Sequence, residues 1–105
     1  MTNRAEGAVL DALGDPTRRA VLEILRARER AVGDIADRLP VSRPAVSQHL
    51  RVLKDAGLVR DRQDGARRLY RVEPRGLEAL RGYLERYWDR ALLAFAEAAE
   101  RKDGG

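Results

Sequence analysis

The sequence predicts a mainly helical domain with one β-hairpin, in the order α-α-α-α-β-β-α. Apolar residues recur at helical spacing in four segments before residue 57, alternate between residues 58 and 72, and return to helical spacing from residue 76. Asp64-Gly65, a frequent hairpin turn, lies within the alternating segment. Because 105 residues contain neither an internal repeat nor a long linker, we expect a single domain over residues 1–105.

The first two helices are separated by residues that end one helix and start another. The first helix is expected over residues 5–13 and to end at Gly14. Asp15 can cap the next helix and Pro16 suits its first turn, which predicts a second helix that runs to residue 27.

Two further helices precede the hairpin. A short helix is predicted over residues 32–39, although Ala31 is a poor residue for its N-terminal cap. Pro40 disfavours helix at Leu39, and Ser42 then caps a fourth helix over residues 43–56, with Pro44 tolerated in its first turn. After Gly57, strands over residues 58–63 and 66–72 and a last helix over residues 76–100 complete the fold.

The positive charge is concentrated in one part of the chain. The net charge is +4, and residues 41–75 contain nine basic and four acidic side chains. A localised basic patch is typical of proteins that bind a polyanion, because each neutralised phosphate releases counterions. A GC-rich genome would explain the preference for arginine over lysine, but it would not explain the clustering.

The composition argues against several classes of function. Without cysteine, neither disulfides nor thiolate metal sites can form, and the single histidine, His49, cannot build a multi-histidine site. We therefore expect no metal or cofactor. An enzyme is a poor interpretation, because the chain has no His–acid pair, phosphate-binding glycine loop or carboxylate cluster. No long apolar run or export signal is present, which predicts a cytoplasmic protein without a membrane partner.

The predicted fourth helix has two distinct faces. Val46, Leu50 and Leu53 fall within about 60° of one another on a helical wheel and should face the core. The opposite face is polar and cationic; with the capping serine its members are Ser42, Arg43, Pro44, Ser47, Gln48, Arg51 and Lys54. Gln and Arg can form bidentate hydrogen bonds to adenine and guanine edges in the major groove. We therefore predict that this helix binds double-stranded DNA and distinguishes base pairs.

The neighbouring elements fit the same interpretation. The short third helix precedes the fourth at the spacing of a helix-turn-helix, and the arginine-rich hairpin would lie beside the groove as a wing. The predicted contacts of the wing with phosphate or the minor groove are Arg62, Gln63, Arg67 and Arg68. Arg60 and Arg71 fit phosphate contact and a solvated hairpin face equally well.

Two long segments resemble the ArsR/SmtB family of bacterial winged helix-turn-helix repressors. They are DALGDPTRRAVLEIL and DIADRLPVSRPAVSQHLRVLKDAGLVRDRQDGARRLYRVEP, and the similarity covers residues 6–95. Its most specific parts are GDPTR at 14–18, SQHL at 47–50 and AGLV at 56–59. The resemblance implies a homodimer that pairs through its first and last helices and represses transcription by covering a promoter palindrome, in many relatives that of its own operon.

The chain departs from the metal-sensing members of that family. Their cysteine pair would lie in the third helix, where this chain has VGDIA at 32–36, and residues 76–100 contain no histidine for the other common site. The resemblance is therefore to the cysteine-free branch. A small-molecule effector fits this branch, but nothing in the chain specifies one.

The last helix carries a broader apolar stripe than its own small domain requires. Trp88 and Phe95 would be costly in water, which favours a subunit interface over packing within one chain. With the part of the first helix that the resemblance implies, the predicted interface residues are Val9, Leu10, Leu13, Leu80, Leu84, Tyr87, Trp88, Ala91, Leu92 and Phe95. A pocket for an aromatic ligand between the subunits is a further alternative.

The main functional alternative is a winged helix that binds another protein. Such a module would bind DNA weakly and without sequence preference.

Overall fold

The computed structural model of the chain describes residues 4–104, with side chains described as far as residue 101. Eight elements follow one another: α1 (Arg4–Leu13), α2 (Pro16–Ala27), β1 (Arg30–Ala31), α3 (Val32–Ala36), α4 (Arg43–Asp55), β2 (Val59–Asp64), β3 (Arg67–Val72) and α5 (Pro74–Gly104). This order confirms the mainly helical fold with a β-hairpin and adds one short strand. The outermost residues of the predicted domain, 1–3 and 105, lie outside the described part.

Side-chain caps start α2 and α4 as the sequence predicts. The Asp15 carboxylate accepts hydrogen bonds from the backbone N–H groups of Thr17, at 2.7 Å, and Arg18, at 3.2 Å. The Ser42 hydroxyl accepts one from Ala45 N–H at 3.3 Å. Ala31 makes no side-chain cap at the start of α3. Both α2 and α4 therefore begin at positions set by local chemistry.

The third helix is shorter than predicted, because it ends at Ala36 and not at residue 39. The backbone N–H groups of Arg38 and Leu39 bond three residues back, to Ile35 and Ala36, at 3.0 and 3.3 Å. Such i→i+3 bonds tighten the last turn before Pro40, which disfavours helix at the residue before it.

The strand β1 was not predicted, since two residues carry no alternation. It pairs with β3 through Arg30–Tyr70 and Ala31–Leu69, so the antiparallel sheet has the order β1-β3-β2. The hairpin turn also lies one residue later than predicted. Asp64 and Arg67 form the last pair, and Gly65, with φ of 62°, supplies the left-handed backbone that the turn requires.

The inner face of α4 lies at the centre of the core, as the helical wheel predicts. Val46, Leu50 and Leu53 have no exposed surface. They share one cluster with residues of α1, α2, α3 and the chain after α4, among them Val9, Val21, Leu25, Ile35 and Leu58. Because α1, α2, α3 and the start of β2 pack on this face, the opposite face of α4 must point outward.

The start of α5 packs tightly on the end of α4. Gly57 ends α4 with φ of 80°, and the backbone N–H of Glu73 donates to the Leu58 carbonyl at 2.8 Å. A Cβ atom on Gly76 would lie 2.2 Å from the Gly57 carbonyl oxygen. Only glycine allows this approach, so the contact fixes the position of α5 relative to α4.

Most of α5 extends away from the rest of the domain. Its 31 residues span about 46 Å at 1.5 Å per residue, and the molecule measures 68 × 26 × 22 Å. α1 packs beside its first part, where Arg86 pairs with the buried carboxylate of Glu6.

We expect Gly76→Ala to lower the free energy of unfolding by about 1–3 kcal/mol, because the added methyl group overlaps the Gly57 carbonyl. Gly7→Ala is the control. Position 7 lies inside α1 with no atom within 4 Å of an added Cβ, so the free energy of unfolding of this variant should rise by up to about 1 kcal/mol. Urea unfolding of both variants at one protein concentration measures the difference. Equal midpoints for Gly76→Ala and the wild type would show that the junction is not tightly packed.

Candidate nucleic-acid interface

The outer face of α4 is exposed along its whole length. Burial of Val46, Leu50 and Leu53 turns the predicted DNA-contacting residues to solvent. All seven are exposed: Ser42, Arg43, Pro44, Ser47, Gln48, Arg51 and Lys54. Within residues 4–101, the side chains of Ser47, Gln48 and Arg51 make no hydrogen bond or ion pair. They are therefore available to a ligand without breaking an internal contact.

The first residue of α4 leans back over α3. A Cβ on Gly33 would lie 3.1 Å from Nη2 of Arg43, so the absence of a side chain at Gly33 leaves room for this guanidinium. Arg43 thus lies between the two helices of the helix-turn-helix, at its N-terminal edge.

Strand alternation divides the four predicted wing residues between two faces of the hairpin. Arg62 is paired with Leu69 and Gln63 with Arg68, so consecutive residues point to opposite sides. Gln63 and Arg68 share the face of Asp61, whereas Arg62 and Arg67 lie on the other face. All four side chains are exposed.

Arg62 is held by an acid that is distant in the sequence. Its Nε donates to Glu29 Oε2 at 3.1 Å, and its Nη2 bonds to the other carboxylate oxygen. The hydrogen bond from Arg62 lowers the pKa of Glu29, and the same bond raises the pKa of Arg62. This pair was not predictable from the sequence, because Glu29 precedes β1, a strand that carries no sequence signal.

On the other face, Asp61 contacts two basic side chains from different elements. Lys54 Nζ of α4 lies 3.0 Å from Oδ1, and Arg68 Nη1 of β3 lies 3.0 Å from Oδ2. The Asp61 side chain is 10% exposed, against 52% for Lys54 and 49% for Arg68. The hydrogen bond from Lys54, followed by that from Arg68, lowers the pKa of Asp61. Sequence reasoning counted Asp61 only as an acid that reduces the local charge.

The remaining wing contacts are local. Gln63 Nε2 donates to the Gly65 carbonyl at 2.8 Å across the turn. Arg67 lies 4.0 Å from Asp64, a long and exposed pair of little energetic weight. Arg60 Nε lies 3.2 Å from the Glu73 carboxylate, which joins β2 to the segment before α5.

A second exposed surface runs along α5. The large apolar side chains of the predicted stripe that stay exposed are Leu84, Tyr87, Trp88, Leu92 and Phe95, and Phe95 reaches 70%. Tyr87 contacts Trp88 edge to face at 5.6 Å between ring centroids. Packing within one chain therefore does not cover the stripe. Leu80 differs, since it packs partly on the core.

One predicted interface residue does not belong to this surface. Val9 is 2% exposed and packs inside its own domain, so it has no area to offer a second subunit. The apolar spacing of α1 did not show which of its residues faces inward. Leu10 and Leu13 remain partly exposed.

Between residues 4 and 101 no group of three or more His, Cys, Asp or Glu side chains could hold a metal ion. None of the helices in the described part has the length and apolarity needed to cross a membrane.

The exposed α4 face, the short helix before it and the basic hairpin define a winged helix-turn-helix, a class of DNA-binding domain. The family profile described as bacterial regulatory protein, arsR family, matches residues 15–61. The chain is 54% identical over 96 residues to the HTH-type transcriptional regulator Rv2034 of Mycobacterium tuberculosis. The aligned residues cover 91% of this chain and 90% of that protein.

Two further similar proteins are also transcriptional regulators or DNA-binding domains. The transcriptional repressor SdpR of Bacillus subtilis is 40% identical over 57 residues, 54% of this chain and 63% of that protein. The solved homodimeric winged helix-turn-helix DNA-binding domain Mb0332 of Mycobacterium bovis, a possible ArsR-family regulator, is 31% identical with a TM-score of 0.65, covering 84% of this chain and 82% of that one.

The chain belongs to the ArsR family of bacterial regulatory proteins. It is a DNA-binding transcriptional regulator and not an enzyme. This favours the DNA-binding interpretation over the protein-interaction module.

Proposed function

We propose that the protein is a homodimeric repressor in which α4 and the wing of each subunit bind one half of a palindromic DNA site. The observation that carries this proposal is the set of exposed, unengaged side chains on α4, directly opposite a fully buried inner face. Two-fold symmetry would place the two copies of α4 about 34 Å apart, in successive major grooves.

The basic and polar residues divide into two roles. Ser47, Gln48 and Arg51 read base edges, because they project from the middle of the exposed face. Positioning on the phosphate backbone falls to residues at the rim of α4 and at the wing. These are Ser42, Arg43, Lys54, Gln63, Arg67 and Arg68. Pro44, which has no donor group, would contact the DNA only through its apolar ring. Arg62 we assign to holding the wing against Glu29, since both carboxylate oxygens of that residue are engaged by it.

The dimer forms through the exposed stripe of α5, with Leu10 and Leu13 of α1 at its border. A stripe of this size would expose large aromatic and aliphatic side chains to water in a monomer, and isologous pairing buries it against itself. That the similar Mb0332 domain is homodimeric supports a dimer.

Repression is supported by SdpR, a transcriptional repressor. By covering a promoter the dimer would block transcription, and its own promoter is the first candidate. Such a protein acts where the bacterial chromosome lies, in the cytoplasm. An effector that releases the DNA is compatible with this scheme and is not specified by the described residues.

The two roles predict different effects of substitution. Gln48→Ala or Arg51→Ala should cost about 1–3 kcal/mol on the preferred site and little on a scrambled duplex, because only base contacts are lost. The pair Arg67→Ala and Arg68→Ala should weaken binding to both duplexes and lower the slope of log K against log salt by up to about 2. Fluorescence anisotropy over a salt series measures both effects.

The control is Arg81→Ala, which removes an exposed arginine of α5 that pairs with Glu78 and Glu85. It should leave both affinities unchanged. If the α4 and wing variants lost affinity in the same pattern, the division into base-reading and phosphate-binding residues would be wrong.

Two adjacent leucines test the dimer interface. Leu92 and Leu93 are 61% and 62% exposed, but they lie about 100° apart around α5, and only Leu92 belongs to the stripe with Trp88 and Phe95. Leu92→Glu should raise the dimer dissociation constant about a hundredfold or more, since a charge would be buried in the interface. Leu93→Glu, the same change on another face, should not. Sedimentation equilibrium distinguishes them; equal dissociation constants would place the interface elsewhere.

A further inference from the structure

Asp61 occupies an unexpected place for an acid. It lies on β2 of the wing and contacts Lys54 of α4. Because we propose that both α4 and the wing contact DNA, a negative charge there repels the phosphate backbone. Its two carboxylate oxygens are each bound by a different cation, Lys54 of α4 and Arg68 of β3, both at 3.0 Å. Electrostatic attraction to phosphate alone would favour a neutral residue at this position.

The contact of Asp61 differs from every other acid–base contact of the wing that the structure describes. Glu29 ties the wing to the segment before β1, Glu73 ties it to the segment before α5, and Asp64 pairs within the hairpin. Of these four acids, only Asp61 joins the wing to α4. It is also the least exposed of these acids, at 10%.

Two consequences follow from this geometry. The carboxylate compensates the repulsion between Lys54 and Arg68, and so allows both cations to stay side by side before DNA is bound. The carboxylate also restricts the conformations of the Lys54 and Arg68 side chains. These side chains therefore lose less conformational entropy when they bind DNA in the arrangement in which Asp61 holds them. Both effects favour a DNA backbone whose phosphates match the fixed spacing of α4 and wing.

We infer that Asp61 is a positioning residue that sets sequence specificity, by fixing Lys54 and Arg68 relative to each other, and that it does so at the cost of affinity for DNA of other sequences. The inference rests on the proposed function, since it assumes that α4 and the wing contact one half-site together. Without the carboxylate, Lys54 and Arg68 are free to contact phosphates of any sequence.

Asp61→Asn tests this inference, because loss of the fixed spacing and loss of a negative charge have opposite effects on the affinity for DNA. On the preferred site the affinity should fall about tenfold, as the helix and the wing lose their fixed spacing. On a scrambled duplex it should rise roughly threefold, with a steeper salt dependence, because one negative charge is removed and two cations are released. The ratio of the two affinities should therefore fall about thirtyfold.

Asp64→Asn is the matched control. It makes the same change of charge in the same hairpin, but its partner Arg67 lies 4.0 Å away and α4 is not involved. Both affinities should rise together and their ratio should stay unchanged. Asp61→Glu keeps the charge and both acceptor oxygens, so its ratio of affinities for the preferred and the scrambled duplex should be close to that of the wild type.

The variants should remain folded, because Lys54 and Arg68 are half exposed and stay solvated when the charge of Asp61 is removed, and the Asp64 pair is exposed. Cooperative thermal unfolding of each variant checks this. If Asp61→Asn raised both affinities as Asp64→Asn does, Asp61 would only reduce the charge, and the inference would be overturned. A wild-type dimer without sequence preference would instead refute the proposed function, and that result is obtained before any variant is made.

Discussion

Burial of one side of α4 is the constraint on which the rest of the structure depends. Val46, Leu50 and Leu53 have no exposed surface, and α1, α2 and α3 contribute to the cluster around them. Each of these side chains contributes about 1.5–3 kcal/mol when it is buried, so rotation of α4 about its axis would be strongly unfavourable. The exposure of Ser47, Gln48 and Arg51 is therefore a consequence of core packing. A recognition surface placed in this way is rigid before DNA arrives.

The same helix is connected at its C-terminal end to both of the other functional parts. The close contact of Gly76 with the Gly57 carbonyl joins it to α5, the proposed dimer helix, and Asp61 joins it to the wing. Since these contacts join α4 to the wing and to the start of α5, the separation of the two α4 helices in the proposed dimer depends on how the α5 helices pair. An effector that changed this pairing would change the fit to a palindrome without touching the DNA-binding residues.

Local signals in the sequence predicted most of the fold. The caps Asp15 and Ser42, the end of α4 at Gly57 and the inward positions of Val46, Leu50 and Leu53 depend on neighbouring residues, and the structure confirms them. The strand β1 could not be predicted, because two residues show no period and their pairing with β3 bridges about forty residues. The burial of Val9 was missed because the apolar residues of α1 form one wide arc, and their spacing does not show which part of it faces the core.

The candidate site was predictable in composition but not in its internal contacts. The exposed residues of α4 follow from the helical wheel, and the basic wing follows from the charge pattern. The acidic partners of these basic side chains do not follow from any sequence pattern. Glu29 lies 33 residues from Arg62, and Asp61 contacts Lys54 only because the chain turns at Gly57. Tertiary structure thus turns a patch of nine basic residues into side chains with distinct roles.

Selection of binding sites from random-sequence DNA by the purified protein tests whether it is a sequence-specific regulator. We expect enrichment of a palindrome whose half-sites lie about one helical turn apart, bound about a thousandfold or more tightly than scrambled DNA at physiological salt. A folded dimer that enriches no sequence, and binds all duplexes with equal affinity, would contradict this expectation.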